Sequence, residues 1–240
     1  QSTVVQGPVG PVGPNKPAET PKPPAVLTSL PHELTLTVPF AEQAPHRVWD
    51  HEHEEFCEEA AALMVGRYFS GRSVGTANDV DAALFELKDW EMNHLNGTWE
   101  DTTAEQTAAM IRDVYGLRVD VVDLRAASFT SEESAPDAAT SEVSPAAVQF
   151  IKRALVDGKL VVVPTAGRKL GNPNFKAPGP LYHMLVLTGY TADDQFITND
   201  PGIWQGKDWT YSNEVLMNAI GDWNDGNPAT GEKVVLLVSK

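Results

Sequence analysis

The sequence predicts an α+β domain in which N-terminal helices pack on a C-terminal antiparallel sheet. Amphipathic helical patterns dominate the region before residue 116, whereas short β-rich runs separated by Gly, Pro and Asn loops dominate the region after residue 158. This segregation argues against a doubly wound parallel sheet, in which helices and strands alternate. The chain has 240 residues, 42% of them hydrophobic, so we expect one globular domain with a sizeable core.

Residues 1–30 differ from the rest of the chain in composition. They are rich in proline and glycine, carry few charges and contain no aromatic side chain. Such a segment cannot bury enough apolar surface to fold. We therefore predict a disordered Pro/Gly-rich linker over residues 1–30 and a single folded domain over residues 31–240.

The predicted domain opens with a short alternating strand at residues 33–38, and a loop then leads to Cys57, the only cysteine of the chain. Apolar side chains from Phe56 to Tyr68 recur at the spacing of one helix face. This periodicity predicts an amphipathic helix with Cys57 in its first turn.

Two further amphipathic helices precede the first long strand. The first is predicted to begin after an N-cap at Asn78 and to end at residues 96–97. The second is predicted to be capped by Thr102 or Thr103 and to end at Gly116.

The second half of the chain supplies most of the predicted sheet. Residues 117–124 alternate as a strand, residues 125–142 are typical of a loop or short mobile insertion, and a fourth helix runs from Pro145 to Gly158. Four more β-rich runs follow, at residues 159–164, 182–189, 195–198 and 233–239.

The net charge narrows the range of partners. Acidic side chains outnumber basic ones by 33 to 18, which gives a formal charge of -15 and argues against a nucleic-acid partner or an anionic membrane surface. No apolar run approaches the roughly 20 residues of a transmembrane helix. We expect a soluble protein with no membrane span and, although no pattern addresses the oligomeric state, a monomer.

Cys57 is a candidate nucleophile because of its place at a helix start. Unpaired N–H groups and the helix dipole favour a thiolate there. A free cysteine is, however, also a common small buried hydrophobe. Glu54, Glu55, Glu58 and Glu59 flank it and would raise the thiol pKa if they were close, but acids at a helix N-terminus normally face water, and we expect that here.

His183 and Asp200 are the candidate partners of such a thiol. His183 opens one predicted strand and Asp200 follows the next, so adjacent antiparallel strands would bring them together. The alternatives are a core histidine and an Asx turn before Pro201. Successive strand residues face opposite sides, so of Asn199 and Asp200 only one can face His183. We choose Asp200, because a carboxylate both accepts the imidazole N–H and stabilises the imidazolium.

A metal site is the competing use of the cysteine. Residues 51–57 are rich in His, Glu and Cys, and His53 and Cys57 are spaced to share one helix face. No second pair of ligands completes a tetrahedral set, and the spacing is not that of a zinc peptidase. We therefore expect neither a metal nor a cofactor.

The order of a helix-initial cysteine, a strand histidine and a turn aspartate is that of papain-like cysteine peptidases. The segment VPFAEQAPHRVWDHEHEEFCEEAAALMV at residues 38–65 resembles the opening of bacterial domains related to the bacteriocin-processing, double-glycine peptidases. HMLVLTGY and ITNDPG, which contain His183 and Asp200, resemble the histidine strand and aspartate turn of that family.

The resemblance implies a papain-like fold and thiol-dependent hydrolysis of a peptide or other amide bond. It implies Cys57 as nucleophile, His183 as general base and acid, Asp200 as its orienting partner and Gln43 as an oxyanion donor. It also implies a bacterial protein that is secreted or tethered to the cell surface. Two alternatives remain open: a catalytically silent peptide-binding module on the same fold, and an acyl transferase.

Overall fold

The computed structural model of the chain describes residues 29–125 and 145–240. The predicted linker, apart from its last two residues, and nearly all of the predicted insertion at residues 125–142 lie outside the described residues. Both therefore stay predictions.

The described residues form an α+β fold, as the sequence predicts. The helices are α1 (His51–Glu55), α2 (Cys57–Ser70), α3 (Ala77–His94), α4 (Ala104–Tyr115), α5 (Pro145–Val156) and α6 (Asn213–Ala219). The strands are β1 (Leu34–Thr35), β2 (Arg118–Asp123), β3 (Leu160–Thr165), β4 (His183–Tyr190), β5 (Gln195–Asn199), β6 (Trp209–Ser212) and β7 (Val234–Ser239). No helix in the described ranges combines the length and apolarity needed to cross a bilayer.

All strand pairings in the described sheet are antiparallel, in the order β2-β7-β3-β4-β5-β6, with β1 added to the far end of β4. Helices α2, α3 and α4 pack on one face of this sheet, and α5 and α6 pack on the other. Strands β3 and β4 are consequently buried along their whole length, which explains why they appear in the sequence as continuous apolar runs.

Local signals explain where the N-terminal helices start and stop. Gly71, with a φ of 68°, ends α2, and its N–H is bonded to the carbonyls of the last turn. A capping box of Thr103 and Gln106 starts α4, as predicted, and Gly116 ends it.

The predicted start of α3 at Asn78 is wrong. The N-cap is Thr76, whose side chain accepts the N–H of Asp79 while the Asp79 carboxylate accepts the N–H of Thr76. This reciprocal pair satisfies two N–H groups at once, which an isolated cap at Asn78 cannot do.

Among the described residues, two α-helices and one β-strand are not predicted from the sequence. They are α1, β6 and α6, which have five, four and seven residues. Elements this short contain too few residues for a hydrophobic period to be recognised. The actual order is thus less segregated than predicted, because α6 lies between strands in addition to the predicted α5.

Candidate active site

The N-terminus of α2 meets the first residues of β4, and Cys57 lies at this junction. Its Sγ accepts the backbone N–H of Met184 at 3.3 Å and donates to Oε2 of Glu58 at 2.9 Å. The side chain is only 5% exposed. Within the described part of the chain, these are the hydrogen bonds of the thiol, and neither involves His183.

The surroundings of Cys57 oppose the thiolate form. Burial, and after it the negative charge of Glu58, raise the pKa of the Cys57 thiol well above its usual range. The expected benefit of the helix N-terminus is therefore outweighed in this structure, because desolvation and a like charge act in the opposite direction.

The structure brings His183 and Asp200 together. His183 is the first residue of β4, Asp200 follows β5 directly, and Nε2 of the imidazole lies 2.7 Å from Oδ1 of the carboxylate. Both side chains are buried. An imidazole held in this way keeps one tautomer, with Nδ1 left as the nitrogen that can take a proton.

Three further donors satisfy the Asp200 carboxylate. Oδ1 accepts the N–H of Gly202 at 3.0 Å, and Oδ2 accepts the hydroxyl of Tyr211 at 2.6 Å and the amide of Asn172 at 3.4 Å. Burial raises the pKa of Asp200, but His183, Tyr211 and Gly202 together hold it below its usual value. Asp200 therefore remains an anion although it is fully buried.

Tyr211, Asn172 and Gly202 are functional candidates that no pattern in the sequence indicates. Tyr211 belongs to the unpredicted strand β6, and Asn172 belongs to a loop, so neither had an assigned neighbour. In the sequence, Gly202 indicates only a turn after Pro201. A Cβ at Gly202 would lie 2.8 Å from Cε1 of His183, so the close approach of this backbone to the imidazole requires glycine.

Replacing Tyr211 by phenylalanine tests whether its hydroxyl supports Asp200. We expect kcat/KM to fall about tenfold, the value of one hydrogen bond to a charged group. The acidic limb of the pH profile should move to higher pH, because loss of a donor to the carboxylate raises the pKa of Asp200. Kinetics from about pH 3 to 9, a range that includes the usual pKa of an aspartate, would measure both.

The matched control is Tyr115→Phe, which removes another mostly buried phenol, at the C-terminal end of α4. It should leave the pH profile unchanged. If Tyr211→Phe lowers activity without moving the profile, the hydroxyl contributes to packing and not to the charge state of Asp200.

Asn199, the residue that competed with Asp200, faces away from His183. Its amide donates to the carbonyls of Val38 and Pro39 at 3.3 and 3.4 Å, and its Oδ1 accepts the N–H of Asp208 at 3.2 Å. It therefore joins the segment after β1 to the end of β5.

Gln43 lies in the loop before α1, and its amide is engaged by backbone groups. Nε2 donates to the carbonyls of His53 and Glu54 at 2.9 and 3.1 Å, while Oε1 is buried without a partner among the described residues. Both amide hydrogens are thus in use. An oxyanion role requires one of them to exchange a carbonyl for the substrate.

The expectation that the glutamates beside Cys57 face water is wrong for Glu58 and Glu59. Glu54 is exposed, but Glu58 and Glu59 are 1% and 0% exposed. Glu59 lies against Glu91 of α3, and none of their four carboxyl oxygens meets a donor in the hydrogen-bond network of the described residues. Burial raises the pKa of Glu91 to about 7. A proton shared between the two carboxyl groups is the arrangement that satisfies such a pair.

His53 is also placed differently from the metal hypothesis. Phe56 interrupts the helix, so His53 belongs to α1 and Cys57 to α2. The two ring nitrogens of His53 lie 2.5 Å from Asp50 and 2.9 Å from Asp81. Within residues 29–125 and 145–240, no group of three or more His, Cys, Asp or Glu residues is arranged to hold a metal ion.

A surface cavity of about 570 Å³ lies at the other end of α2 from Cys57. Its lining includes Arg67, Arg72, Tyr115 and Lys240. The candidate site is therefore not part of this cavity.

Comparisons with known proteins agree with this fold. The sequence model of the Peptidase_C39 like family matches residues 35–227, a range that contains Cys57, His183 and Asp200. The crystal structure of a protein from Bacillus anthracis described as a C39-like peptidase superposes with a TM-score of 0.52 at 13% identity, covering 87% of this chain and 98% of that chain. No curated protein matches the sequence significantly.

Proposed function

Because the chain belongs to the peptidase C39-like family, we propose that it is a cysteine peptidase-like hydrolase that cleaves a peptide or another amide bond through an acyl-enzyme on Cys57. The observation that supports this most is the buried pair of His183 and Asp200. His183 is adjacent in the chain to Met184, whose N–H donates to Sγ of Cys57. A buried imidazole with an ionised partner is the arrangement that activates a neighbouring thiol.

In the proposed reaction, Sγ of Cys57 attacks the carbonyl carbon of the substrate while Nδ1 of His183 takes the thiol proton. Asp200 accepts the N–H of Nε2 and stabilises the imidazolium. The imidazolium then protonates the leaving amine, and His183 activates the water that hydrolyses the thioester. Gln43 would stabilise the oxyanion after its amide exchanges one backbone carbonyl for the substrate oxygen.

A peptide substrate is consistent with the apolar surface on two neighbouring loops. Val48 and Trp49 are exposed on the loop before α1, and Trp204 is exposed on the loop after Asp200. The side chain of Arg47 lies 4.9 Å from the ring centre of Trp204 and joins the two loops. Exposed aromatic groups of this kind favour contact with apolar side chains of a partner.

A catalytically silent peptide-binding module is the second candidate, and one observation favours it. The Cys57 thiol is bonded to Glu58 and not to His183, so the resting arrangement is not yet the reactive one. Cleavage requires the thiol to leave Glu58 and turn to the imidazole.

The family resemblance and the Pro/Gly-rich composition of residues 1–30 also support a localisation, that of a secreted or surface-tethered bacterial protein.

A peptide-library digest followed by mass spectrometry tests the proposed activity. We expect cleaved peptides with the full chain and none after Cys57 has been alkylated completely at alkaline pH, as verified by intact mass. Because the chain has one cysteine, alkylation modifies only this site, and the untreated protein carried through the same steps is the control.

The same digest separates the alternatives. Binding of peptides without cleavage or a trapped acyl-enzyme would contradict the hydrolase and favour the binding module. Hydroxylamine added to the digest tests for transfer, because it can replace water as the acceptor of the acyl group. Hydroxamates in place of the hydrolysis products, at hydroxylamine concentrations where water can still compete, would indicate an acyl transferase.

A further inference from the structure

The side chain of Glu58 is held in place by hydrogen bonds on both of its carboxyl oxygens. Its Oε1 accepts the backbone N–H of Thr102 at 3.0 Å, and its Oε2 accepts the thiol of Cys57 at 2.9 Å. The carboxylate is 1% exposed and takes part in none of the ion pairs of the described residues. The backbone N–H of Thr102 cannot rotate away, so it fixes the carboxylate against the sulfur.

The groups around this contact are mainly acids. Burial raises the pKa of Glu58, the thiol of Cys57 lowers it by donating to Oε2, and Glu91 of α3 and Asp101 before α4 raise it further. Glu59 raises the pKa of Cys57 from the same helix. From the β4 side, Tyr182 directs its hydroxyl to Asp222 at 3.0 Å, and His183 is paired with Asp200. Oε2 of Glu58 and Sγ of Cys57 lie 2.9 Å apart with no cation of a described ion pair beside them, so the second of the two groups to ionise does so against the charge of the first. A carboxyl group is a stronger acid than a thiol, so Sγ is the atom that keeps its proton.

We propose that Glu58 is a positioning residue that holds Cys57 as a neutral thiol in the resting site and keeps it from reacting until substrate binding turns the thiol toward His183. This inference rests on the proposed function, in which Cys57 is the nucleophile. In the activating step the S–H bond breaks, an N–H bond forms at Nδ1 of His183, and the sulfur keeps the electron pair with which it attacks. Glu58 neither gives nor takes a proton in this step.

The opposite assignment would make Glu58 the base that removes the thiol proton. The two assignments predict opposite effects of removing the charge. A restraining carboxylate raises the pKa of the thiol, so its removal speeds the reaction of Cys57 near neutral pH. A base accelerates that reaction, so its removal slows it.

The variant Glu58→Gln tests this directly, because its amide oxygen can still accept the Thr102 N–H while the charge is lost. We expect the pH profile of Cys57 alkylation by iodoacetamide to shift to lower pH. The rate constant at pH 7 should rise at least about tenfold, the change that corresponds to one pKa unit. An unchanged or slower reaction would overturn the proposal.

Glu54→Gln is the matched control, because Glu54 is also a glutamate, lies four residues earlier and is exposed. Its alkylation profile should coincide with that of the wild type. Glu58→Ala, which removes the carboxylate altogether, should shift the profile in the same direction as Glu58→Gln, and circular dichroism verifies that each variant is folded.

The wild-type protein offers a test that depends on no variant. Since Cys57 is the only cysteine, the S–H stretching band in the infrared spectrum reports on this thiol alone. We expect the band to persist at pH 8, and its absence there would overturn the proposal.

These experiments need no peptide substrate, so they are independent of the test of hydrolysis. If Glu58→Gln is alkylated faster but the wild type cleaves no peptide, the proposed hydrolase activity is contradicted. The proposal that Glu58 restrains the thiol is then retained. If the wild type cleaves peptides but the alkylation profile of Glu58→Gln is not shifted from that of the wild type, only the proposed role of Glu58 is contradicted.

Discussion

Replacing Asp200 by asparagine is expected to lower kcat/KM on the order of 10³-fold or more while the fold is retained. Asparagine has nearly the same shape, but its amide can present an N–H to Nε2 of His183, which turns the imidazole to the tautomer that cannot take a proton at Nδ1. It also leaves the hydroxyl of Tyr211 without its anionic acceptor. Steady-state kinetics and a thermal melt would measure the two parts of the prediction.

Asp208→Asn is a suitable control for this variant. Asp208 lies in the loop that follows Asp200, its side chain is exposed, and its φ of 55° is one that asparagine adopts readily. We expect activity close to that of the wild type. Equal losses in the two variants would remove Asp200 from the proposed mechanism, and unfolding of Asp200→Asn alone would assign it to the structure of the turn.

Replacing Glu91 by glutamine is expected to stabilise the protein by about 3 kcal/mol at pH 8 and to change little at pH 4.5. The folded protein keeps Glu91 protonated up to a pKa of about 7, against 4.5 for an unperturbed glutamate. The stabilising contribution of this group is therefore complete below pH 4.5 and is lost as the pH rises through 7. Glutamine has no charge to bury, and its amide can donate to Glu59.

Urea unfolding at the two pH values measures this difference. Glu86→Gln, at an exposed position of the same helix, is the matched control and should change the free energy of unfolding by no more than a few tenths of a kcal/mol. If Glu91→Gln gives the same increment at pH 4.5 as at pH 8, the buried proton is not the cause of the change.

The sequence predicts the architecture well where the elements are long. The periodicity of α2, the capping residues of α4 and the apolar runs of β3 and β4 each have a direct local cause. The predicted start of α3 at Asn78 is wrong because the reciprocal cap of Thr76 and Asp79 satisfies more N–H groups than a single N-cap residue does. Helices α1 and α6 and strand β6 have no local signal of comparable strength.

The candidate site, too, is predictable where a local pattern fixes a residue and not where tertiary packing does. The placement of His183 beside Asp200 could be predicted, because antiparallel neighbours bring the start of one strand to the end of the next. The burial of Glu58 and Glu59 could not, since acids at a helix start face water unless tertiary packing covers them. Here the N–H of Thr102, which is 44 residues away from Glu58, makes burial possible. The contact of Tyr211 with Asp200 likewise depends on the edge strand β6, for which the sequence carries no clear signal.

The bond from the Met184 N–H to Cys57 spans 127 residues, and the bond from Asn199 to the Val38 carbonyl spans 161. Contacts of such high order form late in folding, because the entropy of closing long loops must be overcome before they contribute. During synthesis, a chain that has not yet reached residue 183 contains the thiol but neither the imidazole nor its carboxylate. The nascent chain is consequently expected to carry an unassembled site until β4, β5 and the turn after them have left the ribosome.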